Sequence, residues 1–223
     1  MKKRFTILFA VILLLVGVVL AGCGGGGTTP GATTTTTSTG YRLHHTSSDG
    51  EYLLSWDTIL ENCPELAGLD KVQAFVRRGQ TVMLTPDEQV SLGTGSPAAW
   101  GYTRIVRTGD TPESRRTFAV EILYFDTTEN LDDYLYSVAS GGFILTSDGD
   151  FVSGKATTHT GTESAQSLVA GRQFAFSITE TAPAGQSLIC AAGETDALVP
   201  IYKANIEGIE YAPLPSYIPT RTP

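Results

Sequence analysis

Histidine, cysteine and basic charge are all scarce in this sequence. It holds three histidines and three cysteines in 223 residues. Lys and Arg number 15 against 23 Asp and Glu, for a formal net charge of −8. A basic face that neutralises phosphates is therefore lacking, which excludes nucleic acid as a partner. Catalytic signatures are lacking too: there is no Gly-x-Ser-x-Gly, no Ser-x-x-Lys and no His-Glu-x-x-His. No internal repeat is visible. What the chain does have is 41% hydrophobic residues, 9% of all residues being aromatic, which is enough for a core. The length suits one globular domain with appendages.

One long apolar run stands out. Met1-Lys2-Lys3-Arg4 is cationic, and Phe5 to Leu20 follows with only Thr6 and Gly17 outside the large apolar and Ala set. Those 16 residues are short for a span, which needs about 20, but they suit the apolar region of a signal peptide. Leu20-Ala21-Gly22-Cys23 comes next. This order resembles the signal peptide and lipobox of prokaryotic lipoproteins, matching at all four lipobox positions. The resemblance covers residues 1–23 only. It implies removal of residues 1–22 and a diacylglycerol on the Cys23 thiol, so that the membrane is a partner through that lipid. Gly24 stands where the family places Asp for inner-membrane retention. Two acyl chains hold a protein stably where one does not. The expected location is the cell membrane or envelope, facing outside the cytoplasm. Removing Lys2, Lys3 and Arg4, with no acid beside them, takes the net charge from −8 to −11. Anionic headgroups would repel such a domain.

Gly24 to Gly40 holds six Gly and eight Thr, with no charge and no large apolar side chain. Too little surface can be buried there to offset the ordering entropy, so residues 23–40 read as the lipidated Cys and a tether. A Gly-rich coil of that length spans about 20–25 Å. Residues 41–211 read as a single globular domain. Residues 212–223 hold Pro213, Pro215, Pro219 and Pro223 and read as a tail without strand or helix capacity.

Within the domain, Tyr41–Thr46 reads as a first strand, Ser48-Asp49-Gly50 as a turn and Glu51–Leu54 as its return. Trp56, Ile59, Leu60 and Cys63 share one helical face, and Pro64 ends it. Lys71–Val76 and Thr81–Leu84 read as a hairpin, and Thr85-Pro86-Asp87-Glu88 as the start of a short helix. Trp100–Thr108 and Arg116–Phe125 are the clearest strands. The second is apolar on both sides, which predicts a central strand covered on both faces. Thr128 is placed to cap a helix over 129–139 whose stripe is Leu131, Tyr134, Leu135 and Val138. Ser147-Asp148-Gly149-Asp150 predicts a hairpin and 155–164 a polar loop. Further strands are expected at 166–170, 173–179, 187–192 and 198–206. The sum is α+β, a mainly antiparallel sheet of about eight strands with one main helix on a face. This order is loosely similar to PsbP/Mog1-like domains, which cover an antiparallel sheet with helices.

Once Cys23 carries lipid, Cys63 and Cys190 remain. Outside the cytoplasm a pair invites a disulfide. Spacing alone does not show that the thiols meet, and Cys190 lies in an apolar stretch where a buried free Cys is equally at home.

Several segments approach a motif and depart from it. Gly149-Asp150-Phe151-Val152-Ser153-Gly154-Lys155 resembles a phosphate-binding P-loop, but Ala156 stands where Ser or Thr must hold Mg²⁺. An EF-hand read from Asp148 fails at Val152, Ser153 and His159. His44 and His45, as strand neighbours, would point to opposite faces and not to one metal. Gly93 to Ala98 echoes a dinucleotide loop, but Pro97 and the lack of a βαβ unit remove its basis. No metal or cofactor is expected. The leading expectation is a non-catalytic module binding an unknown protein or small-molecule ligand. Two others stand beside it: an enzyme using a carboxylate among Asp126, Asp148 and Asp150, and a structural envelope component.

Overall fold

The computed structural model of the chain describes residues 41–210, except 87, 110, 112, 113, 159–161, 184, 189 and 191. The signal peptide, Cys23, the tether and the Pro-rich tail therefore lie outside the described residues, as does His159. Along the chain, β1 (Tyr41–Arg42) leads into α1 (Ser47–Leu53), α2 (Trp56–Asn62) and a 3₁₀ turn at Pro64–Leu66. Next come β2 (Asp70–Arg77), β3 (Gln80–Thr85), β4 (Glu88–Leu92), β5 (Ala98–Thr108), β6 (Arg116–Phe125) and α3 (Thr128–Ser140). β7 (Ile144–Asp148), β8 (Phe151–Thr158), β9 (Thr162–Gly171) and β10 (Phe174–Pro183) then lead to α4 (Ala192–Glu207) and β11 (Ile209–Glu210).

The fold is α+β. Its frame is a seven-stranded sheet in the order β2-β5-β6-β10-β9-β8-β7, antiparallel at every pairing. β6 is an interior strand, and alternation sends its side chains into two separate cores. Phe118, Val120, Ile122 and Tyr124 join a core with Leu53, Ile59, Leu198, Tyr202 and Ile206, so α1, α2 and α4 cover that face. Leu123 and Phe125 join a second core with Val90, Leu92, Leu131, Tyr134 and Val138, so α3 and the β3–β4 hairpin cover the other. The strand apolar on both sides is thus sandwiched, as its composition requires.

The helix after β6 starts one residue earlier than its sequence signal. Thr127, not Thr128, is the N-cap, and its hydroxyl accepts from the Asn130 N–H at 3.2 Å. Leu131, Tyr134 and Val138 are buried, and Leu135 is partly so.

Five local expectations are corrected. Ser48-Asp49-Gly50 is not a turn between strands; it lies in α1, and only Tyr41–Arg42 is strand, paired parallel to β11. The Asp49 carboxylate accepts from the backbone N–H groups of His44 and Thr46, both at 2.9 Å, and from the Tyr41 hydroxyl at 2.7 Å. That is the reciprocal half of a capping box from Thr46, and it opens the helix. Gly50 is needed for contact, since a Cβ there would lie 2.2 Å from Tyr102 Cγ. β3 pairs with β4 in a two-stranded ladder rather than with β2, whose sheet partner is β5. The segment after Pro86 is therefore strand, not helix, with Val90 and Leu92 alternating into the core. The 155–164 stretch is mostly strand, because its Thr residues suit a pleated surface and β8 and β9 pair across it. Finally, 198–206 is helical. Leu198, Tyr202 and Ile206 recur at i, i+4, i+8 and are fully buried; of the expected strand 187–192, residues 187, 188 and 190 are not strand and Ala192 begins α4.

Candidate functional site

The carboxylates singled out in the sequence do not meet. Asp126 follows β6 and pairs with Arg78 at 2.9 Å; Asp148 ends β7 and pairs with Lys203 of α4 at 2.7 Å. Asp150 is exposed in the turn before β8. β6, β10, β9 and β8 are successive strands, so the Asp126 and Asp150 ends lie roughly 14 Å apart at strand spacing. One reacting atom cannot lie between them. The Gly149–Ala156 segment forms the β7–β8 hairpin, with Gly149 at φ 61° in its turn, and no helix follows to meet a phosphate.

His44 is exposed, while His45 sits in the left-handed region at φ 58° with its ring 4.7 Å from Tyr124. Burial lowers the His45 pKa, against the pull of Asp49 and Asp126. Among the described residues no three His, Cys, Asp or Glu side chains gather to hold a metal ion. Cys63, at the end of α2, is joined to Cys190 in a disulfide, with Cα atoms 6.1 Å apart across a separation of 127 residues.

Three charged residues inside the apolar strands stand out instead, among them Glu180 of β10, 1% exposed, whose carboxylate accepts from the Cys190 N–H at 2.9 Å. The first is Arg104 of β5, on the face covered by α1, α2 and α4. The residue is 5% exposed. Its guanidinium lies 4.8 Å from the Trp56 ring of α2 and 5.4 Å from the Tyr102 ring. Nη2 donates to the Tyr102 hydroxyl at 3.2 Å. Nε is buried with no hydrogen-bond partner, and Arg104 makes no ion pair among the described residues. Tyr202 of α4, stacked on Phe176 at 3.8 Å, brings a second orphan: its hydroxyl is buried without a partner. Burial raises the Tyr202 pKa, against the pull of the Arg104 charge. On the outer side, Gln73 of β2, the register partner of Arg104, accepts from Trp56 Nε1 at 3.3 Å and donates to Glu51 of α1 at 3.4 Å.

The second is Glu121 of β6, on the face covered by α3. It accepts from the Thr103 hydroxyl at 3.2 Å, and its charge acts on Tyr134 of α3. Burial pushes its carboxyl up to about 7, with the Thr103 hydrogen bond opposing. The sequence carries a signal for both residues. Each is a charge in the middle of a strand otherwise read as core, at Trp100–Thr108 and Arg116–Phe125, and a charge there needs a partner. Tyr202 carries none, because its segment reads as strand.

Among the described residues no helix is long and apolar enough to cross a membrane. No protein family and no curated protein matches the chain in sequence. Among solved structures, the chain is similar to the extracellular domain of PknH from Mycobacterium tuberculosis. That likeness has 10% identity and a TM-score of 0.44, over 70% of this chain and 94% of that one. A likeness of this degree assigns no function.

Proposed function

We propose that the protein is a lipid-anchored domain outside the cytoplasm that binds a ligand or partner without transforming it. The observation that carries this reading is the Cys63–Cys190 disulfide, which belongs to an oxidising compartment. The basic residues, apolar run and Leu20-Ala21-Gly22-Cys23 support it from the sequence, with Cys23 as the lipid-bearing residue. The Thr- and Gly-rich stretch before Tyr41 supplies a tether, and the negative charge keeps the domain off anionic headgroups. Binding, rather than chemistry, is favoured by the wide separation of Asp126 from Asp150 and by the buried orphan groups at Arg104 and Tyr202.

The test is expression in a bacterial host fed labelled palmitate. The wild-type chain should carry label and fractionate with membranes. The Cys23→Ser chain should stay unlabelled and at precursor length. Label on the Cys23→Ser chain would overturn the assignment.

A further inference from the structure

The seven-stranded sheet ends on one side at β7, whose one partner among the described residues is β8. The hairpin fixes which way the peptide groups of β7 point. Asp148 and Phe151 close the two-residue turn at Gly149 and Asp150, so they exchange ladder bonds. The pairs Thr146–Ser153 and Ile144–Lys155 do the same at every second residue. Leu145 and Ser147 therefore turn their N–H and C=O groups away from β8, about 7 Å apart along the strand. An open row of this kind is a template for another strand, and natural edges are blunted by charges, Pro or a bulge. The opposite edge, β2, carries Asp70, Lys71 and Arg77. The residues from Ile144 to Ser147 include no charge and no Pro, and their pairing with β8 has no bulge. Ile144 is instead 79% exposed, with Thr146 and Ser147 exposed beside it.

We propose that β7 is a self-pairing surface, along which two copies of the chain join antiparallel about a two-fold axis at Leu145 and merge their sheets into one. The occupant of this edge must offer outward peptide groups at the same spacing. A second copy does so. The two Leu145 residues exchange N–H and C=O bonds across the axis. Each Ser147 N–H then donates to the Phe143 carbonyl of the other copy; the Phe143 N–H is already given to the Val138 carbonyl at 3.2 Å. Leu145 meets Leu145 on the α3 face of the sheet, and Ile144 meets Thr146 on the α4 face, a β-branched pair. Asp148 falls opposite Gly142 and keeps its Lys203 partner at 2.7 Å. An axis at Thr146 would instead set each Asp148 against an Ile144, so the register at Leu145 is favoured. Both copies are negative overall, so their contact has to run through an uncharged strip, which the stretch from Ile144 to Ser147 supplies. The pairing goes beyond the anchored binding role and depends on neither the lipid nor a ligand.

The test uses full-length chains in detergent. Copies carrying Ile144→Cys and copies carrying Thr146→Cys, one set with a longer tag, are mixed under mild oxidation. The mixed cross-link should dominate over both same-residue cross-links, because the register sets position 144 opposite position 146. The wild-type chain run alongside reports any cross-link through Cys23. Sedimentation over a concentration series reads the association without a cross-link, and the wild-type mass should rise from one copy towards two. Ser147→Pro removes the outward N–H and no bond to β8, so its melting temperature should stay near that of wild type. Its association should weaken about tenfold, since each pair of copies loses two hydrogen bonds. Ser147→Ala keeps the N–H and should associate as wild type does. A wild-type chain that stays monomeric would leave this edge to a strand of another protein and overturn the proposal. Undiminished association in Ser147→Pro, or same-residue cross-links as abundant as the mixed one, would overturn it as well.

Discussion

At the scale of single residues, the most consequential side chains are the charges placed inside the sheet. Glu121 shows what such a charge does to stability. Its carboxyl titrates near 7 in the folded protein against an ordinary value of 4.5, because burial penalises the ionised form. Between those values the folded chain holds more protons than the unfolded one, so stability falls as pH rises. The stabilising contribution is complete below the unfolded value and is lost as pH passes through the folded one. The interval amounts to roughly 3 kcal/mol at most. His45 has the opposite sign. Its pKa is lowered in the fold, so the unfolded state holds more protons and stability rises with pH through the ordinary histidine range. The wild-type profile mixes both slopes, and the Glu121→Gln variant separates them. The amide keeps an acceptor for Thr103 and cannot ionise. It should be more stable than wild type at pH 8, by up to about 3 kcal/mol, and should lose most of that advantage at pH 5. Urea melts of the two chains at both pH values check this. A constant difference between them would show that Glu121 does not titrate in the fold.

At the scale of elements, α3 is the simplest test of the packing. Leu131 is 5% exposed against the sheet, while Glu129 faces solvent. Leu131→Ala should cost about 2–5 kcal/mol through lost burial and the cavity left behind. Glu129→Ala should cost under about 1 kcal/mol, from a weakened interaction with the helix N-terminus. Leu135→Ala should fall between them, since Leu135 is only partly buried. Guanidinium melts decide the order, and equal losses at positions 129 and 131 would make α3 peripheral. The elements legible in the sequence share one property: α2, α3, β5 and β6 announce their period through several residues in a row. The illegible ones each carry a conflicting local signal. In α1, Asp49-Gly50 imitates a turn, whereas Asp49 gathers two backbone N–H groups and Gly50 makes room for Tyr102. In α4, Pro200 and the apolar run Leu198–Ile201 mask the spacing of Leu198, Tyr202 and Ile206. Pairing was least legible of all. β3 leaves the sheet for β4 because Val90 and Leu92 bury themselves there, and a hairpin pattern does not show which neighbour will bond. Tyr202 inherits this, since it lies on the unread helix.

At the scale of the whole molecule, the two faces of the sheet are stabilised differently. The face under α3 and the β3–β4 hairpin is held by side-chain packing from chain segments close in sequence to β5 and β6. The other face is assembled from the two ends of the described chain, α1 and α2 from one and α4 from the other. The Cys63–Cys190 disulfide ties those ends across 127 residues, and the β1–β11 pairing closes them again at Tyr41–Ile209. A crosslink over so long a loop restricts the unfolded chain by about 4–5 kcal/mol on chain-entropy grounds, and measured losses on removing such bonds run from about 2 to 5. Both cysteines are fully buried, so the native disulfide should resist reductant until the helices open. The Cys63→Ala, Cys190→Ala double variant should therefore unfold in one cooperative transition, about 2–5 kcal/mol less stable. Its excess opening should be concentrated in α2 and α4, with α3 close to wild type, because only the disulfide-bearing face loses its tie. Denaturant melts with hydrogen exchange read both quantities. Equal melting midpoints, or faster exchange spread evenly over α3 and α4, would mean that the disulfide does not hold this face together.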